Sequence, residues 1–199
     1  MASAKRLNLI IVGVITCLLV VSQLPTAAAQ SSQVKILYDK TKNETTESTR
    51  IMTVIELLGT LEGRFPEGTR NLPAENLKMT AYFTYSGKTF VKPESVVLAF
   101  LSLVQGDAKY RDTDDVTIQL DGQSLNLGKL RVVDRRIDTN MQMNNVHYWR
   151  EALEVSVKTA EFVRIANAGK VTVQLGKTHF DLTAAHMKPL RTLAKRAGA

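Results

Sequence analysis

The chain has 199 residues, a mass of 22.0 kDa, and 44% hydrophobic and 23% charged side chains, which excludes a disordered or collagenous chain and fits one globular domain. Its net charge of +7 and pI near 9.6 permit a basic surface without demanding a nucleic-acid partner. The single cysteine, Cys17, excludes an intrachain disulfide and any zinc site built from several thiolates.

Lys5 and Arg6 precede a largely apolar run from Leu7 to Leu24, followed by Pro25, Thr26, Ala27, Ala28, Ala29 and Gln30. A basic start, an apolar centre and small residues at Ala27 and Ala29 form the layout of a secretory signal peptide and predict a mature start at Gln30. The expected location is periplasmic or extracellular, and the short alanine-rich cleavage region suits a bacterial exporter. Two alternatives start from the same residues. The run is about as long as a short membrane span, which would leave an uncleaved anchor in the inner membrane, and Val14, Ile15 and Thr16 lead into Cys17 as a lipidation signal would. Asn8, Thr16, Ser22 and Gln23 interrupt the run, and Thr16 suits lipidation poorly, so cleavage is favoured. Cleavage removes Cys17; the exported chain then has no disulfide-linked partner and depends on its own core. The expected organisation is a signal peptide over 1–29, an N-terminal strand and polar loop over 30–50, and a single β-rich domain over 51–199.

Val34 to Tyr38 reads as a short strand, and the polar run Asp39 to Arg50, which includes the sequon Asn43-Glu44-Thr45, reads as an exposed loop. Ile51 to Leu58 is dense in β-branched residues and predicts a buried strand, with a short helix as the alternative. Gly59, Gly63, Pro66, Gly68 and Pro73 punctuate a loop. Leu77, Met79, Ala81, Phe83 and Tyr85 then alternate with Lys78, Thr80, Tyr82 and Thr84, the period of a half-buried strand. Pro93 closes a short strand, and Val96 to Val104 predicts a strand buried on both faces. After the acidic loop Asp112 to Asp115, Val116, Ile118 and Leu120 alternate up to Asp121-Gly122, and Leu125 to Val133 resumes the alternation, which together predict a hairpin. Asp138 to Asn145 is polar. Leu153, Val155 and Val157 mark another strand.

Thr159 is placed to cap a helix over Ala160 to Ala168, with Phe162, Ile165 and Ala166 inward and Gly169 as its stop. Val171, Val173 and Leu175 form a strand that turns at Gly176-Lys177 and returns through Thr178 to Leu182. A last helix begins at Thr183, with Met187, Leu190, Leu193, Ala194 and Ala197 as its apolar stripe and Pro189 predicting an irregular start or a kink. The sum is a mainly β, sandwich-like domain with one short helix and a C-terminal helix.

From Pro93 to Ala197 the order runs through Asp121-Gly122, Phe162-x-x-Ile165-Ala166, the Val-x-Val-x-Leu-Gly strand Val171 to Gly176, Phe180-x-Leu182 and a terminal helix. This order resembles a layout recurring among exported bacterial β-rich domain proteins without assigned function. The resemblance covers about half the chain and implies a β-sandwich-like domain with appended helices. It implies no activity.

His179 and Asp181 would share a strand face, with His186 on the next helix, a set that a metal-dependent hydrolase would use. No helical His-x-x-x-His or Glu-bearing motif accompanies them, and His147 stands apart, so a polar strand face is the simpler expectation. Asp112, Asp114 and Asp115 lack the alternation of a calcium loop. Gly87-Lys88-Thr89 lacks the preceding glycine of a phosphate loop, Tyr82 standing there. No nucleophile elbow or Ser-x-x-Lys motif occurs, and Glu151 and Glu154 face opposite sides of a strand. An enzyme is therefore unsupported, and neither a catalytic residue nor a cofactor is expected.

Two basic clusters, Lys129, Arg131, Arg135 and Arg136, and Lys188, Arg191, Lys195 and Arg196, are candidate anion-binding faces. Tyr148, Trp149 and Arg150 are a candidate interface, because large amphipathic rings dominate binding energy, although a sole Trp more often packs in a core. Export disfavours nucleic acid. The expected function is a non-enzymatic binding or structural module of the cell envelope, acting by surface recognition of an envelope protein or of an anionic surface polymer or lipid.

Overall fold

A computed structural model describes residues 33–58, 73–138 and 147–199. The leader segment, the glycine- and proline-punctuated loop after Leu58 and nearly all of the polar stretch after Ile137 lie outside the described residues. The described strands are β1 (Val34–Asp39), β2 (Glu44–Thr49), β3 (Met52–Leu58), β4 (Pro73–Ser86), β5 (Ser95–Gln105), β6 (Asp115–Leu120), β7 (Gln123–Lys129), β8 (Arg131–Ile137), β9 (Tyr148–Lys158), β10 (Val171–Leu175) and β11 (Thr178–Leu182). The helices are α1 (Thr159–Asn167) and α2 (Ala184–Ala197).

All strand pairs are antiparallel and fall into two sheets. The seven-stranded sheet runs β1-β2-β4-β5-β9-β8, with β3 pairing the first half of β4 and β2 the second; the four-stranded sheet runs β11-β10-β6-β7. Period-two alternation turns Leu77, Met79, Ala81 and Phe83 of β4, Leu98 and Phe100 of β5, and Leu153, Val155 and Val157 of β9 to one face. Ile118, Val173 and Phe180 of the smaller sheet join the same core. Phe100 and Phe180 link the two sheets edge to face, with centroids 6.4 Å apart. The helices complete that core with Phe162 and Ile165 of α1 and Leu190 and Leu193 of α2, each fully buried and worth about 2 kcal/mol. The fold is the expected mainly β, sandwich-like arrangement with two helices.

Several local expectations are corrected. The polar run after Asp39 is not a loop throughout: Glu44 to Thr49 is β2, with Thr45, Glu47 and Thr49 turned inward. β5 is not buried on both faces, since Leu101 on its outer face is 37% exposed. No strand precedes Pro93 over Thr89 to Lys92. The alternation from Leu125 to Val133 belongs to two strands in different sheets, β7 and β8, divided at the buried Leu130. Thr159 does not cap α1; Lys158 takes the cap position, and the Thr159 hydroxyl donates to the Pro93 carbonyl at 2.6 Å. Pro189 lies inside α2, beyond its first turn as the sequence places it, and the helix runs on to Ala197. The Asp121-Gly122 hairpin is as expected, both residues having positive φ (49° and 89°), as a type I′ turn requires.

Candidate functional site

Loop 106–114, between β5 and β6, is pinned from below by one buried carboxylate. Glu151 sits on the core face of β9 beside Ser102 of β5 and is fully buried. Its Oε2 accepts the Lys109 N–H at 2.9 Å, and its Oε1 accepts Arg135 Nε at 2.9 Å and the Tyr110 N–H at 3.4 Å. The Arg135 Nη2 also donates to the Tyr110 carbonyl, so one guanidinium and one carboxylate hold both backbone polar groups of Tyr110. Lys109 Nζ lies 2.7 Å from each oxygen of Glu75 on β4. Further along, the Val132 N–H donates to Asp112 Oδ1 at 2.7 Å, and the Arg111 N–H to Asp114 Oδ2 at 3.0 Å.

This scaffold places loop 106–114 against the β10–β11 turn and leaves a cavity of about 210 Å³ lined by Lys109, Tyr110, Arg111, Asp114, Leu175, Lys177 and Thr178. The Tyr110 ring is buried, its hydroxyl donates to Thr178 Oγ1 at 3.3 Å, and burial raises its pKa well above the usual phenol value. The Tyr110 hydroxyl therefore stays a neutral donor. Lys109 is neutralised by Glu75, whereas Arg111 and Lys177 are exposed and have no ion pair among the described residues. The cleft thus combines two uncommitted cations with a hydroxyl pair and one carboxylate, Asp114, held by backbone.

Most of the basic residues singled out in the sequence are engaged. Lys129 pairs with Asp115 at 2.8 Å, Arg131 with Glu154, Arg135 with Glu151, Arg136 with Asp134 at 3.5 Å, and Arg196 with Glu47. Arg191 donates to the Ala166 carbonyl at 3.0 Å, closing the end of α1. Lys188 and Lys195 are exposed on α2 without an ion pair among the described residues. Tyr148 is fully buried, its hydroxyl has no hydrogen-bond partner among the described residues, and burial raises its pKa; Trp149 is half-buried, and Arg150 Nη2 lies 2.6 Å from Asp138.

His147 and His179 are exposed, and Asp181 accepts the Thr172 hydroxyl. His186 uses both ring nitrogens: Nδ1 accepts the Thr183 N–H at 3.2 Å, and Nε2 accordingly donates to the Thr53 carbonyl at 3.0 Å. Among the described residues no group of three or more His, Cys, Asp or Glu side chains is arranged to hold a metal ion, and no helix is long and apolar enough to cross a membrane.

Glu75, Lys109, Tyr110 and Lys177 were not among the sequence candidates. Only Tyr110, a lone aromatic in a charged loop, carries a signal: a large ring there needs a place to bury itself. Comparisons with family models, with curated proteins and with solved structures give no match.

Proposed function

We propose that the chain is an exported, non-enzymatic binding module of the cell envelope that recognises anionic groups at the cleft between loop 106–114 and the β10–β11 turn. The observation that carries this reading is the pair of unneutralised cations, Arg111 and Lys177, on the rim of a preformed cavity. An Arg fork matches carboxylate and phosphate geometry, and a nearby ammonium adds charge without demanding a fixed angle. About 210 Å³ is below the range of drug-sized ligand sites. The fitting ligand is therefore a charged group carried by a larger molecule, such as a lipid phosphate or an acidic sugar of an envelope polymer. The signal-peptide layout at Lys5 to Ala29 and the basic excess support export and an anionic partner.

The test uses Gln30–Ala199, which contains every element described above. Binding is measured to phosphatidylglycerol vesicles, to phosphatidylcholine vesicles and to a soluble uronic-acid polymer, at low and high salt. Arg111→Glu with Lys177→Glu is expected to weaken binding at least tenfold, on about 1 kcal/mol per charge near an anionic surface. Lys188→Glu with Lys195→Glu should leave most of it. Equal losses in both variants would reduce the effect to net charge, and absence of binding to either anionic probe would remove the reading.

A further inference from the structure

β1 and β8, the two ends of the β1-β2-β4-β5-β9-β8 order, are built differently. β8 carries Arg131, Asp134, Arg135 and Arg136 and is bulged between Val132 and Asp134, the usual protections of an edge against pairing. β1, at the other end, has only two charged residues, Lys35 and Asp39, and no bulge. Its register with β2 is unbroken, and Ile36 and Leu37 are 51% and 52% exposed on its two faces. The Arg50 N–H bonds to the Gln33 carbonyl, and this pair continues the β1–β2 register. Bonding alternates along an antiparallel ladder, so Lys35, Leu37 and Asp39 face β2, while the N–H and C=O of Ile36 and Tyr38 point away from it.

We propose that β1 pairs with β1 of a second copy of this chain, antiparallel about a two-fold axis at Leu37. A two-fold axis perpendicular to the sheet keeps each face continuous, so residues of like face meet. Centred on Leu37, it sets Leu37 against Leu37, Ile36 against Tyr38, and Lys35 against Asp39. The outward N–H and C=O groups of Ile36 and Tyr38 then bond to each other across the axis. Lys35 and Asp39 neutralise each other on both sides of it. Centring on Ile36 instead would set Lys35 against Leu37 and leave that charge without its match, so the charge pattern of the strand selects the register. Asp39 keeps its local role, because its Oδ1 accepts the Thr41 N–H at 2.8 Å and leaves Oδ2 for Lys35. This pairing is independent of the cleft at loop 106–114.

The test is the mass of Gln30–Ala199 in solution by sedimentation, combined with cysteine trapping. Residues 30–199 contain no cysteine, so an introduced one reports alone. Leu37→Cys is expected to form a symmetric disulfide dimer under mild oxidation, because directly opposed non-hydrogen-bonded residues lie within disulfide reach. Val133→Cys on β8 should remain monomeric. The parent should double in mass with rising concentration, and Ile36→Pro, which removes only an outward N–H, should abolish doubling while keeping the circular dichroism of the fold. Lys35→Asp should also abolish it, and Lys35→Asp with Asp39→Lys should restore it. A monomer at all concentrations with no trapping at residue 37, or doubling that survives Ile36→Pro, would overturn the proposal.

Discussion

Arg196, near the end of the last helix, grips the buried carboxylate of Glu47 through Nε and Nη2, the latter at 2.8 Å. Tyr85 donates its hydroxyl to the same carboxylate at 3.1 Å. The bond from Arg196 holds the Glu47 carboxyl below its usual pKa against the opposing pull of burial, and the same bond raises the pKa of Arg196. Through this pair α2 is fastened to β2, the second strand of the large sheet.

Arg196→Ala should therefore cost more than a surface substitution. It leaves a carboxylate at zero exposure with Tyr85 as its remaining donor among the described residues, and breaking a buried pair on one side costs about 3–5 kcal/mol. Arg196 itself is 42% exposed, so water can partly replace it and the expected loss is about 2–3 kcal/mol. Glu47→Leu with Arg196→Met should recover most of it. Urea denaturation of the variants measures both; a single-variant loss within experimental error would show that the pair contributes nothing.

The same pair sets a pH dependence. A carboxyl whose folded pKa lies below its unfolded value, about 4.3, contributes stability that is fully present above the unfolded pKa and disappears as pH falls through the folded pKa. The melting temperature of the parent should be steady at pH 6 and fall below about pH 4.3. Subtracting the curve of the Glu47→Leu, Arg196→Met protein isolates this pair from the other carboxylates. Parallel curves would mean that Glu47 does not gain its charge from Arg196.

Strands whose core face is apolar were legible in the sequence, because Leu77 to Phe83, Val116 to Leu120 and Val171 to Leu175 alternate with polar neighbours. β2 was not. Its inward positions are Thr45, Glu47 and Thr49, and what makes them buriable lies far along the chain: Arg196 for Glu47, and Thr80 and the Ala81 N–H for Thr49. Local pattern holds no record of such partners. The Asp121-Gly122 turn was legible as a hairpin, but the Asp121 carboxylate also accepts the Gly169 and Lys170 N–H groups, at 3.2 and 2.7 Å, and that second role is tertiary. Likewise Glu151 and Glu154 were separable onto opposite faces by parity alone, while the capture of loop 106–114 by Glu151 depends on Arg135 and on how β5 and β6 connect. The rim cations Arg111 and Lys177 are distinguished from other exposed cations only by the cavity they flank.

Glu151→Gln tests the capture directly. The carboxylate receives only donors, from Lys109, Tyr110 and Arg135, and an amide would turn its NH₂ group toward at least one of them. The expected cost is about 2–4 kcal/mol, combining lost charge-assisted bonds with an unsatisfied buried donor. Hydrogen exchange gives the specific signature: protection of the Lys109 and Tyr110 amides should fall more than that of the β4 amides. A uniform fall across the molecule would assign Glu151 to global stability and not to holding the loop.

The opposite wall of the cleft turns on Gly176. Its φ is +54°, and a β-carbon there would lie 2.8 Å from the carboxyl carbon of Asp114, well inside contact distance. Gly176→Ala thus carries a left-handed backbone penalty of about 1 kcal/mol and, separately, displaces the carboxylate that receives the Arg111 N–H. A total loss of about 2–3 kcal/mol is expected, with weaker anion binding because Arg111 moves with its loop. Adding Asp114→Ala should relieve the collision and leave the backbone penalty, so the two substitutions should fall short of additivity by about 1 kcal/mol. Denaturation of the two single variants and the double variant measures that coupling. Strict additivity would mean that the turn and the loop do not press on each other, and that Asp114 leaves room at the cleft for a side chain.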